Sequence, residues 1–148
     1  MLHHATGVAV LDAQGDFRRA RRGEVLARIS RRLTGARRRP NVPRTYANSV
    51  RLPWRPPRLE PIPVDEIVGA LEPTVYFDAG FRPTSRMPRA RWERIALAQR
   101  RGLPLPPISM TTSRDGYYVV DSRHHVSMAR TLEQSKIEAW VTSGTPGC

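Results

Sequence analysis

A single cysteine, Cys148, occupies the last of 148 positions, so no disulfide can form within one chain. That fits a reducing compartment, and the expected location is the cytoplasm, with nucleoid association if DNA is bound. Lysine is equally scarce. Lys136 is the only one among 25 basic residues, and the others are arginine. Arginine's planar fork grips phosphate bidentately, which an ammonium group cannot do, although a GC-rich coding sequence would produce the same excess. No run approaches the ~20 consecutive apolar residues that a membrane span requires. The opening Met1-Leu2-His3-His4 also lacks the charged-then-apolar order of a secretory leader.

Proline and positive charge are abundant. There are 14 prolines, most of them between Pro40 and Pro107, which imposes extended connections on that stretch. The formal net charge is +12 and is unevenly placed. Fourteen basic and three acidic residues precede Glu60, whereas eleven basic and ten acidic residues follow from Glu60 onward. The length suits one modest domain with an appendage. The charge division suggests a cationic arm over 1–58, formed of a helix and a proline-rich linker, and an electrically ordinary domain over 59–148. An arm of this kind suits nucleic-acid phosphate or an acidic protein partner.

Along the chain, Gly7 to Leu11 could form a short strand. Asp16 to Leu33 predicts a helix with Asp16 as its N-cap and Val25, Leu26, Ile29 and Leu33 as its apolar face. Arg18, Arg19, Arg21, Arg22, Arg31 and Arg32 cover much of the remainder, and Arg37, Arg38 and Arg39 extend the charge beyond it. Such a helix can lie on nucleic acid, lie on an anionic membrane, or pack its stripe on the domain. Residues 36–61 read as a semi-rigid linker with Trp54 docked. A strand and a helical turn are expected over Ile62–Val68, and irregular chain anchored by Tyr76, Phe77 and Phe81 over 71–87. The periodicity then predicts a helix over Pro88–Arg101, a strand over Ile108–Met110 and an Arg114-Asp115-Gly116 turn. A return strand over Tyr117–Asp121, a helix over His124–Leu132 and a closing strand over Ile137–Thr142 complete the pattern. The expected fold class is therefore α/β (α+β), a small mixed sheet with packed helices, preceded by a basic helical arm.

The informative segment is Val119-Val120-Asp121-Ser122-Arg123-His124-His125, where a strand ends and a helix begins. Such a junction aims open backbone N–H groups and the positive end of the helix dipole at one point. Arg123, His124 and His125 add donors, and cations at a helix start call for an anion to offset them. The plainer reading is that Asp121 or Ser122 caps the helix.

On these residues the chain resembles the ParB/sulfiredoxin superfamily. The pattern runs "I-P-V-D-E-I-V", "R-W-E-R-I", "L-P-P-I-S-M", "R-D-G-Y-Y-V-V-D-S-R-H-H-V-S-M-A-R-T-L" and "I-E-A-W-V" over about residues 59–142. It is similar to the ParB N-terminal domain and nearer to small ParB-like proteins carrying "D-G-H-H-R-V-S-V-A-R" at the same turn. The resemblance implies a site for a nucleotide's phosphates, commonly those of CTP, with Mg as the accompanying ion. It puts Ser122, Arg123, His124 and His125 on the phosphate turn and Pro107 and Ile108 at the entrance of the pocket. Arg82 falls near a region that often supplies a phosphate-contacting arginine. Ser122 stands where the relatives have glycine, and His125 where they have arginine. Sulfiredoxins carry a reactive cysteine in this turn and this chain does not, so their chemistry is not expected. A following helix-turn-helix domain is likewise not expected.

The leading expectation is thus a binding module for a nucleotide or for nucleic acid, DNA before RNA, with a homodimer left open. The alternatives are a metal-dependent nuclease or nucleotide hydrolase using Asp121 with Glu93 or Asp78, and a degenerate protein-interaction module. No metal site is expected from His124 and His125, because adjacent histidines at a helix start point apart and no further cluster completes a site.

Overall fold

The computed structural model describes residues 6–35, 41–46 and 52–144. The elements in chain order are α1 (Ala9–Thr34), β1 (Arg44–Thr45), β2 (Arg55–Pro63), a 3-10 turn at Val64–Glu66, and β3 (Ile67–Ala70). There follow α2 (Arg89–Arg100), β4 (Ile108–Ser113), β5 (Gly116–Val119), α3 (Arg123–Thr131) and β6 (Lys136–Ser143). The protein is α/β, with a six-stranded mixed sheet and three α-helices among the described residues, the N-terminal one being the longest. The strands lie in the order β1-β3-β5-β4-β6-β2. β4 and β5 form the expected hairpin, with Ser113 opposite Gly116, while β4 and β6 run parallel.

The period-two pattern of β6 places Ile137, Ala139 and Val141 inward and Glu138 and Trp140 outward, as their alternation predicts. These inward side chains meet Ile62, Ile67, Ile108, Met110 and Val119 from the neighbouring strands and Val126 and Ala129 from α3. α3 also turns Met128 toward a second cluster that joins α1 and α2 through Ala13, Phe17, Ala20, Trp92 and Ala96. Trp92 is fully buried, and its indole N–H donates to Ser127 Oγ at 2.8 Å, which satisfies both polar groups.

Five expectations are corrected. Gly7–Leu11 is not a strand, because α1 starts at Ala9 and absorbs its second half. Asp16 therefore sits inside the helix, 1% exposed, and accepts two hydrogen bonds from Arg100 at 3.0 and 2.7 Å. The buried face of α1 is Asp12, Ala13, Asp16, Phe17, Ala20 and Glu24. Leu26, Ile29 and Leu33 are exposed, since α2 and α3 meet only the first half of the helix. The linker 36–61 ends in β2, whose backbone pairs with β6 at Arg55 and, after a register shift, from Arg58 onward. β2 is an edge strand, where prolines lacking an N–H are tolerated. Trp54, expected to dock, is 47% exposed.

β3 was hidden because Ile67–Ala70 is only four residues long. Gly69 permits it: a Cβ there would lie 2.7 Å from the Tyr118 ring and collide with the Arg44 carbonyl. The boundary between residues 58 and 59 falls inside β2. No helix among the described residues is long and apolar enough to cross a membrane.

Candidate functional site

β5 delivers the chain to the helix start, and two hydrogen bonds fix the delivery. Val120 N–H donates to the Ser109 carbonyl, and Ser109 N–H donates to Asp121 Oδ1, both at 2.9 Å. Asp121 thus ties the turn to β4 and does not cap α3. Ser122 occupies the N-cap position in the left-handed region, with φ 59° and ψ 43°, and its side chain makes no capping bond. An L-residue reaches that conformation at a cost and glycine does not. The backbone at Ser122 therefore has the shape that the glycine of the "D-G-H-H-R" pattern would adopt most easily. With no acidic residue in the first turn and no side-chain cap, the first N–H groups of α3 stay available to an anion.

The cationic residues of this turn diverge. Arg123 donates from Nη2 to the Glu72 carbonyl at 3.2 Å, and its Nε is buried without a hydrogen-bond partner. His124 turns inward, its ring edge-on to Phe77 with centroids 5.2 Å apart. Burial, and then the charges of Arg91 and Arg123, push its pKa down to about 4. His125 is lowered by burial as well and lines a groove of about 430 Å³ with Gln99, Leu105, Pro106, Gln134 and Lys136. A neutral imidazole offers one donor and one acceptor rather than a charge, so Arg123 carries the positive charge of the turn. Ile108 is buried in the core and Pro107 is half-buried beside it. Arg82 lines a different cleft, together with α1 and the far end of α3.

The carboxylates considered for catalysis are separately engaged. Asp121 holds Ser109, Glu93 pairs with Arg89 at 2.8 Å, and the fully buried Asp78 holds Gly80 and Arg82. Among the described residues, no three His, Cys, Asp or Glu side chains gather as metal ligands would.

The arginines of α1 are placed with more purpose than their spacing disclosed. Arg18, Arg21 and Arg22 meet Arg86 and Arg89, just before and at the start of α2, around one groove of about 380 Å³. Phe17 lines the same groove, and the Arg89 guanidinium lies 5.9 Å from its ring centroid. Glu24 pairs with Arg21 at 3.1 Å and Glu93 with Arg89. Arg18, Arg22 and Arg86 form no ion pair among the described residues. Arg31 and Arg32 lie in the last turn of α1, away from this groove, and Arg37, Arg38 and Arg39 fall outside the described residues. Arg86 and Arg89 were missed because a three-residue spacing at a helix start is common on solvated surfaces. Compared with protein families, with curated proteins and with solved structures, the chain matches none of them.

Proposed function

We propose that this chain is a ParB-like phosphate-binding module whose principal partner is nucleic acid, DNA before RNA. The observation that carries the reading is the groove shared by α1 and the start of α2. Five arginines surround it, against two carboxylates that each neutralise one of them. Like charges gathered in this way repel one another, and a polyanion laid along them removes the repulsion. Duplex DNA supplies one phosphate charge per ~1.7 Å of axis, so several arginines can be neutralised together.

The test is the anisotropy of a labelled duplex, and of a labelled RNA of equal length, titrated with protein across a salt series. Affinity should fall steeply as salt rises, because each neutralised phosphate releases counterions. Binding that is insensitive to salt would sink the reading, and tighter binding of RNA would reverse the order of the two nucleic acids.

A second reading, a nucleotide held at the Ser122–His125 turn, is favoured by the left-handed backbone of Ser122 and the uncapped start of α3. Here Arg123 would face the phosphates, and Mg would supply charge neutralisation between them. Calorimetric titration with CTP and then ATP, each with magnesium, tests it. Binding should be abolished in Arg123→Ala and tightened in Ser122→Gly, where backbone can approach a phosphate more closely. No heat with either nucleotide would dispose of this reading and leave the groove as the subject.

A further inference from the structure

A cleft of about 250 Å³ lies between α1, the far end of α3 and the Asp78–Arg82 turn. Three guanidinium groups from three separate stretches of chain line it, those of Arg19, Arg82 and Arg130. Each is held in place. Arg19 donates to the Thr131 carbonyl at 3.2 Å and lies 3.3 Å from Asp16. Arg82 is anchored on Asp78 at 3.3 Å, and Asp78 also accepts the N–H groups of Gly80 and Arg82, which fixes the turn. Arg130 donates to the Ile67 carbonyl at 2.6 Å and lies over the Phe81 ring, 5.4 Å from its centroid.

The charge of this cleft is not balanced from within. Asp16 already serves Arg100 with both oxygens, so Asp16 and Asp78 answer for Arg19, Arg82 and Arg100. Arg130 forms no ion pair among the described residues, and its Nε is buried without a hydrogen-bond partner. Burial disfavours its charged form and so does Arg82, while Asp65 and Asp78 offset this from a distance. A desolvated guanidinium without a counterion is costly, and an oxyanion in the cleft would offset that charge. Gly23 and Gly80 line the walls without side chains of their own, so the Arg82 side chain lies against both, and Ser127 completes the lining.

We propose that this cleft is a second anion site, separate from the Ser122–His125 turn, which takes a compact phosphate or pyrophosphate group. Its volume lies below the ~300–1,000 Å³ that enclose a whole drug-sized ligand, so it receives a phosphate head and leaves any attached group outside. An anion there bridges α1 to α3 and the Asp78–Arg82 turn. The site does not depend on the nucleic-acid reading, which has its own readout in the salt series.

The experiment is calorimetry of the full chain with inorganic phosphate and with pyrophosphate at near-physiological salt, repeated in Arg123→Ala and in three further variants. Arg19→Gln removes one guanidinium while Asp16 keeps its two bonds to Arg100. Gly23→Leu fills the cleft from the α1 wall with all its arginines present, since a Cβ at Gly23 meets only the flexible Arg82 side chain, at 3.4 and 3.5 Å. Arg55→Gln removes an equal charge from the exposed edge strand. Pyrophosphate binding should weaken at least tenfold in Arg19→Gln and in Gly23→Leu and stay unchanged in Arg55→Gln. The proposal is overturned by absence of heat with both anions, or by binding indifferent to Arg19→Gln and Gly23→Leu. Binding lost in Arg123→Ala but kept in Arg19→Gln would also overturn it, placing the anion at the start of α3.

Discussion

At the scale of single residues, the histidines decide how the turn behaves. His124 has its pKa lowered to about 4 because burial against Phe77, with Arg91 and Arg123 nearby, excludes the imidazolium. In the unfolded chain a histidine titrates near ~6.5. Between these values the unfolded chain binds the additional proton, so stability rises with pH across that window and falls on acidification from about 6.5 toward 4. Unfolding midpoints measured at pH 7.5 and pH 5 should therefore differ, the acidic one being lower. The gap should narrow in His124→Gln, and an equal gap in that variant would show that His124 is not its source. The sequence presented two adjacent histidines as a pair of phosphate donors. Their spacing could not disclose that one packs on a phenylalanine and the other faces a separate groove, because that depends on where Phe77 and Leu105 arrive.

At the scale of elements, one buried carboxylate ties α1 to α2 beside their apolar contacts. Asp16 is 1% exposed, accepts two hydrogen bonds from Arg100 of α2, and lies 3.3 Å from Arg19. Removing one member of such a pair leaves an uncompensated charge, so Asp16→Asn should destabilise the fold by about 3 kcal/mol, read from a denaturant midpoint. Adding Arg100→Met should recover part of the loss, because the unpaired guanidinium disappears with it. Destabilisation below about 0.5 kcal/mol in the single variant would show that α1 is held by its apolar contacts alone. The helix itself was legible, but the half of it that docks was not. Val25, Leu26, Ile29 and Leu33 recur at helical spacing, yet the buried face runs through Ala13, Phe17 and Ala20. Small residues let helices approach closely and give a weak periodic signal, whereas exposed leucines give a strong and misleading one. β6 shows the opposite case, since strict alternation in a strand with one buried face leaves one choice of face.

For the whole molecule, charge is organised by tertiary packing more than by the arm that carries it. The excess of arginine before Glu60 pointed to nucleic acid, but the groove requires Arg86 and Arg89 from beyond it. Arg18 and Arg22 form no ion pair among the described residues, so the double variant Arg18→Ala, Arg22→Ala should leave stability nearly unchanged. It should also reduce the salt slope of duplex binding by about 2, at ~0.9 for each phosphate that is no longer neutralised. A slope equal to that of the unaltered protein would mean that the groove does not touch phosphate.

The sequence by itself determined the α/β class, the hairpin at Arg114–Asp115, the helix ending near Gly102, the inward face of β6 and the cationic character of the first 59 residues. Each of these follows from interactions local in sequence: side-chain period, turn chemistry, helix stop signals and counted charge. Only the tertiary structure decided the rest. It made an edge strand of a proline-rich linker, drew α1 onto α2 through Asp16, and gathered arginines 18, 21, 22, 86 and 89 around one groove and 19, 82 and 130 around another. These arrangements join residues up to a hundred or more positions apart, they depend on packing and on where charge can be desolvated, and no local pattern encodes them.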